Sequence, residues 1–261
     1  MVSHSFSLET FEYFLLVLMR IASFAFIAPF YSQDGIPTRT RIGLCAIVSI
    51  MILGVVAPEH PLPYENVFGY SVLILKEAAT GLLLGYACYI CNSIVLFAGN
   101  VIDMNIGLSM VSMFDPAMSA QVTVTGNIYN QVVLIMLVVS NMHQYILRAV
   151  VDSFKLIPLG ETVFRTDVLL QGMVVYFTDL FVLGFRIMMP VFATLLIVNT
   201  VLGIMAKVAP QMNMFSIGVQ IKIIAGLLVL FVLVFLFPEV VELVANEMKL
   251  MIANMIDGLH E

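Results

Sequence analysis

The residues of this chain that could do chemistry are few, and their spacing narrows what they can do. Cys88 and Cys91 form a Cys-x-x-Cys pair, the spacing of redox and metal sites, yet no second ligand pair or nearby histidine accompanies them. With Cys45 they lie in apolar stretches, where two cysteines one helical turn apart serve as small buried residues. His4, His60, His143 and His260 are scattered, two of them near the termini. No His-Glu-x-x-His, Gly-x-Ser-x-Gly, phosphate-binding glycine loop or dinucleotide fingerprint stands in a fitting context. The sequence therefore supports no ATPase, protease or dinucleotide enzyme, and it implies no cofactor and no metal.

Charges inside apolar sequence are the more telling group. Glu77, Gly81 and Gly85 recur at i, i+4 and i+8, so they share one helix face. The two glycines let a neighbouring backbone approach closely. Glu77 on that stripe is either buried at a helix seam, where it needs a partner, or a carboxylate at the water boundary beside ordinary packing. Lys76 is adjacent but cannot face it. Arg20, Asp103, Asp179, Arg186, Lys207 and Lys222 also lie in or beside apolar runs. They read as snorkelling groups or pairs made across subunits rather than as a relay, which needs several carboxylates or histidines on one path.

The elements that carry these residues are membrane helices. The chain has 261 residues, 61% hydrophobic and 11% charged, with mean hydropathy +1.06. The charged share is less than half of the roughly 25% usual in soluble domains. The apolar runs are long rather than alternating, which excludes a barrel of ~10-residue strands and predicts an all-α integral membrane protein. The net charge of −6 and the lack of a basic cluster exclude nucleic acid as a partner. No basic region precedes Arg20 and no small-residue cleavage site follows, so the first apolar run reads as a retained helix.

About six long helices are expected within a single domain, 1–261. The runs are 8–28, 42–56, 68–102, 128–151, 168–208 and 217–237, followed by an amphipathic tail over 238–256. At ~1.5 Å per residue the third run reaches ~52 Å, against a hydrocarbon core of ~30 Å. Pro190 inside the fifth run predicts a bend. The tail's polar face is acidic, which favours docking on a partner protein over lying on lipid. Arg39 and Arg41 place the first loop in the cytoplasm, and Glu59 and Glu65 place the second outside. Two further simple crossings then put Arg148, Lys155 and Arg165 outside, against the rule. The sequence thus argues for helices housed by other subunits rather than for a standalone bundle.

Between the N-terminal helices, 8–103, and the C-terminal ones, 128–237, lies a segment at 104–121 that is too broken for a bilayer helix. It carries Met104, Gly107, Met110, Met113, Phe114, Asp115, Pro116 and Met118, and no Lys or Arg. Irregular backbone at membrane depth is tolerated only inside protein or along a water-filled path. Two readings stay open: a re-entrant turn that merely packs, or a deformable apolar plug that closes a pore by excluding water. In the second, Gly107 supplies a bend and Asp115-Pro116 a turn.

Ala209 to Gly218 reads Ala-Pro-Gln-Met-Asn-Met-Phe-Ser-Ile-Gly, with Pro210, Gln211, Asn213, Phe215 and Gly218 as its marks. This stretch resembles the signature of the FliR/SctT/SpaR family of type III export-gate proteins. Arg20, Ala28-Pro29, Ile36-Pro37 and Arg41 are similar to its N-terminal signature, and Glu77, Gly81 and Gly85 to its third segment. Ala98-Gly99, Gly107 and Asp115-Pro116 are similar to its plug region, and His143, Ser153-Phe154 and Pro158-Leu159-Gly160 to the region after its fourth segment. Val219-Gln220 departs from the pattern, which has a proline there. The resemblance implies a subunit of the flagellar export gate in the bacterial inner membrane at the basal body. It implies FliP- and FliQ-type subunits around a channel for unfolded flagellar proteins, with FlhB- and FlhA-type proteins and membrane lipid as neighbours. Glu77, Gly81, Gly85, Arg20 and Arg186 are then helix-packing or subunit contacts, and the methionine segment is the plug. The alternatives are a virulence-injectisome subunit of the SctT type and a small-solute secondary transporter. The latter calls for inverted repeats, and no strong internal repeat is evident.

Overall fold

The computed structural model describes residues 8–33, 35–54, 62, 64, 66–108, 123–211 and 213–260. Every regular element among them is helical: α1 (Leu8–Ile27), α2 (Thr38–Leu53), α3 (Val67–Ile106), α4 (Val124–Val139), α5 (Met142–Leu156), α6 (Thr166–Val208), α7 (Met214–Leu233) and α8 (Phe237–Asp257). The protein is a helical membrane protein. Glu9–Ile27, Val67–Ile106, Thr166–Val208 and Ser216–Asp257 are each long and apolar enough to cross a bilayer, and α4 with α5 forms a fifth candidate if the pair counts as one span.

Local sequence sets where these helices start and stop. Pro37, with φ −57°, precedes α2 and suits a helix entry, because its missing N–H would have no partner there. Thr123 caps α4, its hydroxyl accepting from Gly126 N at 2.9 Å, and the Asn213 side chain accepts from Ser216 N at the start of α7. The α3 helix ends in Gly107, whose φ of +96° only glycine adopts without strain.

The chain divides into two compact units. The first comprises 1–90, 141–176 and 246–261. In it α1 packs on α2 and on the N-terminal part of α3. Tyr64, outside the apolar helices, donates to the Glu12 carboxylate at 2.6 Å, and this bond holds its phenol up to about 12. The second comprises 91–140 and 177–245. In it the end of α3 meets α4 and α6, with Phe97 edge-on to Phe181 at 5.5 Å between ring centres, and Tyr129 of α4 stands edge-on to Phe237 at 4.7 Å.

Several expectations change. The run 128–151 is two helices, broken at Asn141, which takes a left-handed φ of 59°. Asparagine tolerates this conformation better than most residues. The α3 helix continues to Ile106, past the expected boundary at 103, because Asn105 bonds back to Val101 O at 2.7 Å and Ile106 is fully buried. Pro190 lies in the interior of α6, and α7 runs through Val219-Gln220, in keeping with the lack of a proline there. Pro238 falls in the first turn of α8, where proline is tolerated, after a short 3₁₀ turn at Val234–Leu236. The tail's apolar residues Val244, Met248, Met251, Ile252 and Met255 are buried within this chain, so the amphipathic face needs neither lipid nor a partner to cover it. In the first unit, Val163 N donates to Leu259 O and Arg165 N to Gly258 O, clipping the end of α8 in place.

The left-handed break carries a test. Asn141→Val should cost about 1–2 kcal/mol, the penalty of a left-handed conformation for a side chain without a local hydrogen bond, whereas Asn141→Gly should be near neutral. Thermal unfolding of the purified protein in detergent reads both, and equal losses would show that the conformation is not the constraint.

Candidate functional site

Two polar clusters stand out among the described residues, one in each unit. In the first, Arg20 of α1 and Glu77 of α3 are both fully buried and form an ion pair, Nε to Oε2 at 2.5 Å. Arg20 Nη1 also donates to the Ile157 carbonyl at 3.1 Å and to Ser153 Oγ at 3.4 Å. Its guanidinium lies over the Phe154 ring, 4.3 Å from the centre. The other Glu77 oxygen accepts from Gly160 N at 3.0 Å, and Gly160 has φ +83°. Nearby Thr80 and Thr162, both buried, share a hydroxyl contact.

The glycine stripe makes this pair possible. A Cβ on Gly81 would collide with the Arg20 carbonyl and Ser23 Oγ, and one on Gly85 would lie 2.8 Å from the Phe24 carbonyl. The two helices therefore touch backbone to backbone, which brings Arg20 within reach of Glu77. The expectation that Arg20 snorkels or pairs across subunits is corrected: its partner is Glu77 of the same chain. Of the two readings left open for Glu77, the buried seam is the one observed. Ser153, Phe154 and Gly160 carry the family likeness, but nothing in their local pattern shows that they surround an arginine.

In the second unit, Asp103 near the end of α3 is 3% exposed. Its Oδ2 accepts from Thr123 Oγ1 at 2.9 Å and from Thr125 N at 3.1 Å. Asp103, expected to snorkel or to pair across subunits, instead joins the end of α3 to the start of α4. Gly99 and Gly126 meet there, the Cβ position of Gly99 falling on the Gly126 backbone. Ile106 packs where a Gly226 Cβ would be, which fits α7 closely to α3.

The other candidates are placed as follows. Met104 is exposed on the last turn of α3, and Gly107 terminates that helix. Met110, Met113, Phe114, Asp115, Pro116 and Met118 lie outside the described residues. Arg186 is exposed on α6, as is Asp179. Pro210 and Gln211 form an exposed turn, Asn213 caps α7, Phe215 lies in its first turn, and Gly218 is buried against Leu202. Cys45, Cys88 and Cys91 are buried.

Comparison with known proteins adds an independent finding. The family described as bacterial export proteins, family 1, matches residues 11–248. The flagellar biosynthetic protein FliR of Bacillus subtilis (strain 168) is 31% identical over 228 residues, covering 86% of this chain and 87% of that protein. FliR of Aquifex aeolicus (strain VF5) is 30% identical over 230 residues, covering 85% and 86%. FliR of Escherichia coli (strain K12) is 26% identical over 244 residues, covering 93% and 92%.

A double-mutant cycle tests the ion pair. Arg20→Met or Glu77→Leu alone should cost about 3–5 kcal/mol by stranding a buried charge, while the double variant should recover most of that loss. Thermal unfolding in detergent measures it, and additive losses would remove the coupling. Gly81→Leu should abolish accumulation of folded protein.

Proposed function

This chain belongs to the bacterial export proteins of family 1, the family of the flagellar biosynthetic protein FliR, and from that premise we propose that it carries the segment that closes the flagellar type III export gate. It is a membrane subunit of the flagellar export apparatus. In the proposed reading it works beside FliP- and FliQ-type subunits, with FlhB- and FlhA-type proteins as neighbours, in the inner membrane at the basal body. Unfolded flagellar proteins are the cargo.

The mechanism is passive. Met104, Met110, Met113, Met118 and Phe114 close the channel by excluding water, and an unfolded chain displaces them. Methionine suits the role because three rotatable bonds let it repack around irregular cargo. Energy comes from elsewhere, since the sequence has no nucleotide motif. The observation that supports this reading is the junction on either side of the segment: α3 ends in Gly107, Thr123 caps α4, and the Asp103 carboxylate joins these two helix ends.

Exposed surface supports an assembled setting. Only 11% of the most apolar window of Ser216–Asp257 is buried within the chain, against 61% for Val67–Ile106. Both α3 and α6 also exceed the ~20 residues that a simple crossing needs. Neighbouring subunits would cover part of this surface and house the extra length.

The test is deletion of 110–114 in cells that assemble the complex. Ion leak across the inner membrane should rise in the resting state. Unchanged leak, with the complex present at normal amounts, would overturn the closing role.

A further inference from the structure

We propose that the exposed side of α6 between 177 and 197 seats a membrane helix of another polypeptide, one that sets a carboxylate against Arg186 and a basic group against Asp179. The inference rests on the assembled setting proposed above, and it is independent of the closing role. Leu183, Ile187, Val191 and Leu195 form the buried side of this stretch, with Gly184 close against Phe97 of α3. Val182, Phe185, Met189, Phe192 and Leu196 are exposed on another side. Their spacing alternates between three and four residues, the a and d pattern of a coiled-coil seam. In that register Asp179 and Arg186 are seven residues apart, and both fall at position e, which flanks the seam and carries interhelical ion pairs. Both are exposed, and among the described residues neither makes an ion pair or a hydrogen bond.

Neither lipid nor water suits this face. A crossing takes ~20 residues, and α6 has 43. If the bilayer holds 187–206, which is free of charge, then Phe177, Phe181, Val182 and Phe185 stand exposed in water. An apolar patch of that kind marks a protein contact. If the bilayer holds the stretch around 179–186 instead, Asp179 and Arg186 face hydrocarbon. Arginine can snorkel to the boundary, but the short aspartate stem cannot. Only a protein surface offers apolar contact and charge partners together. A second copy of this chain does not supply that surface. Inserted in the same orientation, its α6 runs parallel, and position e then faces position g. Arg186 would meet Phe181 and Asp179 would meet Val174, leaving both charges unpaired. The occupant is therefore a different helix, apolar along its seam, with two opposite charges ~10 Å apart, the rise of two turns. Their order also fixes its register, since a slip of one heptad sets like charge on like.

The test puts a photoreactive phenylalanine analogue in place of Phe185 and reads cross-links in the complex extracted from native membranes, with the linked peptide sequenced by mass spectrometry. The expected product is a link to another membrane subunit, on an apolar peptide that carries an acidic residue. Any other link, one to a second copy of this chain included, or no link overturns the proposal. Arg186→Glu and Asp179→Lys should each lower the amount of complex recovered with the chain by at least about tenfold, because each sets like charges together. Thermal unfolding of the purified variants in detergent should not move, since neither charge is paired within the chain. Normal recovery in either variant, or a loss of recovery matched by a loss of the chain's own stability, overturns the proposal. The 110–114 deletion reads the closing role separately. A tight deletion with the link at 185 intact overturns the closing role alone, and a leaking deletion without that link overturns this interface alone.

Discussion

The buried pair of Arg20 and Glu77 is the interaction on which the first unit depends. Two charges removed from water cost more than their attraction returns unless further hydrogen bonds complete them. Here Ser153, the Ile157 carbonyl and the Gly160 amide supply such bonds, and Arg20 Nη2 is left without one. The pair is therefore tolerable only when α1, α3, the end of α5 and the turn after it are all in place. Glycine is what admits the charges: with a Cβ at position 81, α1 could not come close enough for the bond to form. One polar contact thus commits four segments to a single arrangement.

That commitment matters more in a membrane than in water. Lipid tails are as apolar as leucine, so apolar contact alone does little to favour one helix pairing over another. Small residues and polar partners must choose. The first unit uses a charged pair over a Gly-x-x-x-Gly stripe. The second unit uses the same logic with lighter parts, Gly99 on Gly126 and a single carboxylate taking neutral donors. Much of the remaining surface of α6 and α7 is apolar, as the exposure of Phe181, Ile197, Leu228 and Phe231 shows, with Asp179 and Arg186 the charged exceptions on α6 named above.

What was legible in the sequence follows from what periodicity can carry. Helical class and the long runs follow from apolar length, and the Glu77, Gly81 and Gly85 stripe follows from four-residue spacing. The partner of Glu77 was not legible, because Arg20 is 57 residues away and no local pattern points across that distance. The tail shows the same limit. Its spacing said that one face is buried, but a hydrophobic face records only that water leaves it, not whether lipid, a partner or the same chain replaces it. Asn141 was missed for a different reason: Ser140-Asn141-Met142-His143-Gln144 does interrupt the apolar run, but a short polar patch does not say that a single residue takes a φ of 59° and ends one helix before the next.

In the proposed reading, the segment at 104–121 needs a softness that the two polar clusters do not have. A channel closure that must yield to cargo of many shapes cannot itself be held by directional bonds, since each would have to break and reform with every passage. Methionine and phenylalanine attract without direction, so a segment of them deforms at small cost and recovers. Softness of that kind is useful only if the frame does not share it. Asp103, Gly99 and the Arg20–Glu77 pair supply stiffness where deformation would let helices slide, and the sequence places almost no ionisable group between Asp103 and Thr123. In the proposed reading, rigid charge-bearing seams and a compliant span whose one ionisable side chain is Asp115 are complementary demands of one task, and that separation is what lets a passive subunit close again after each cargo.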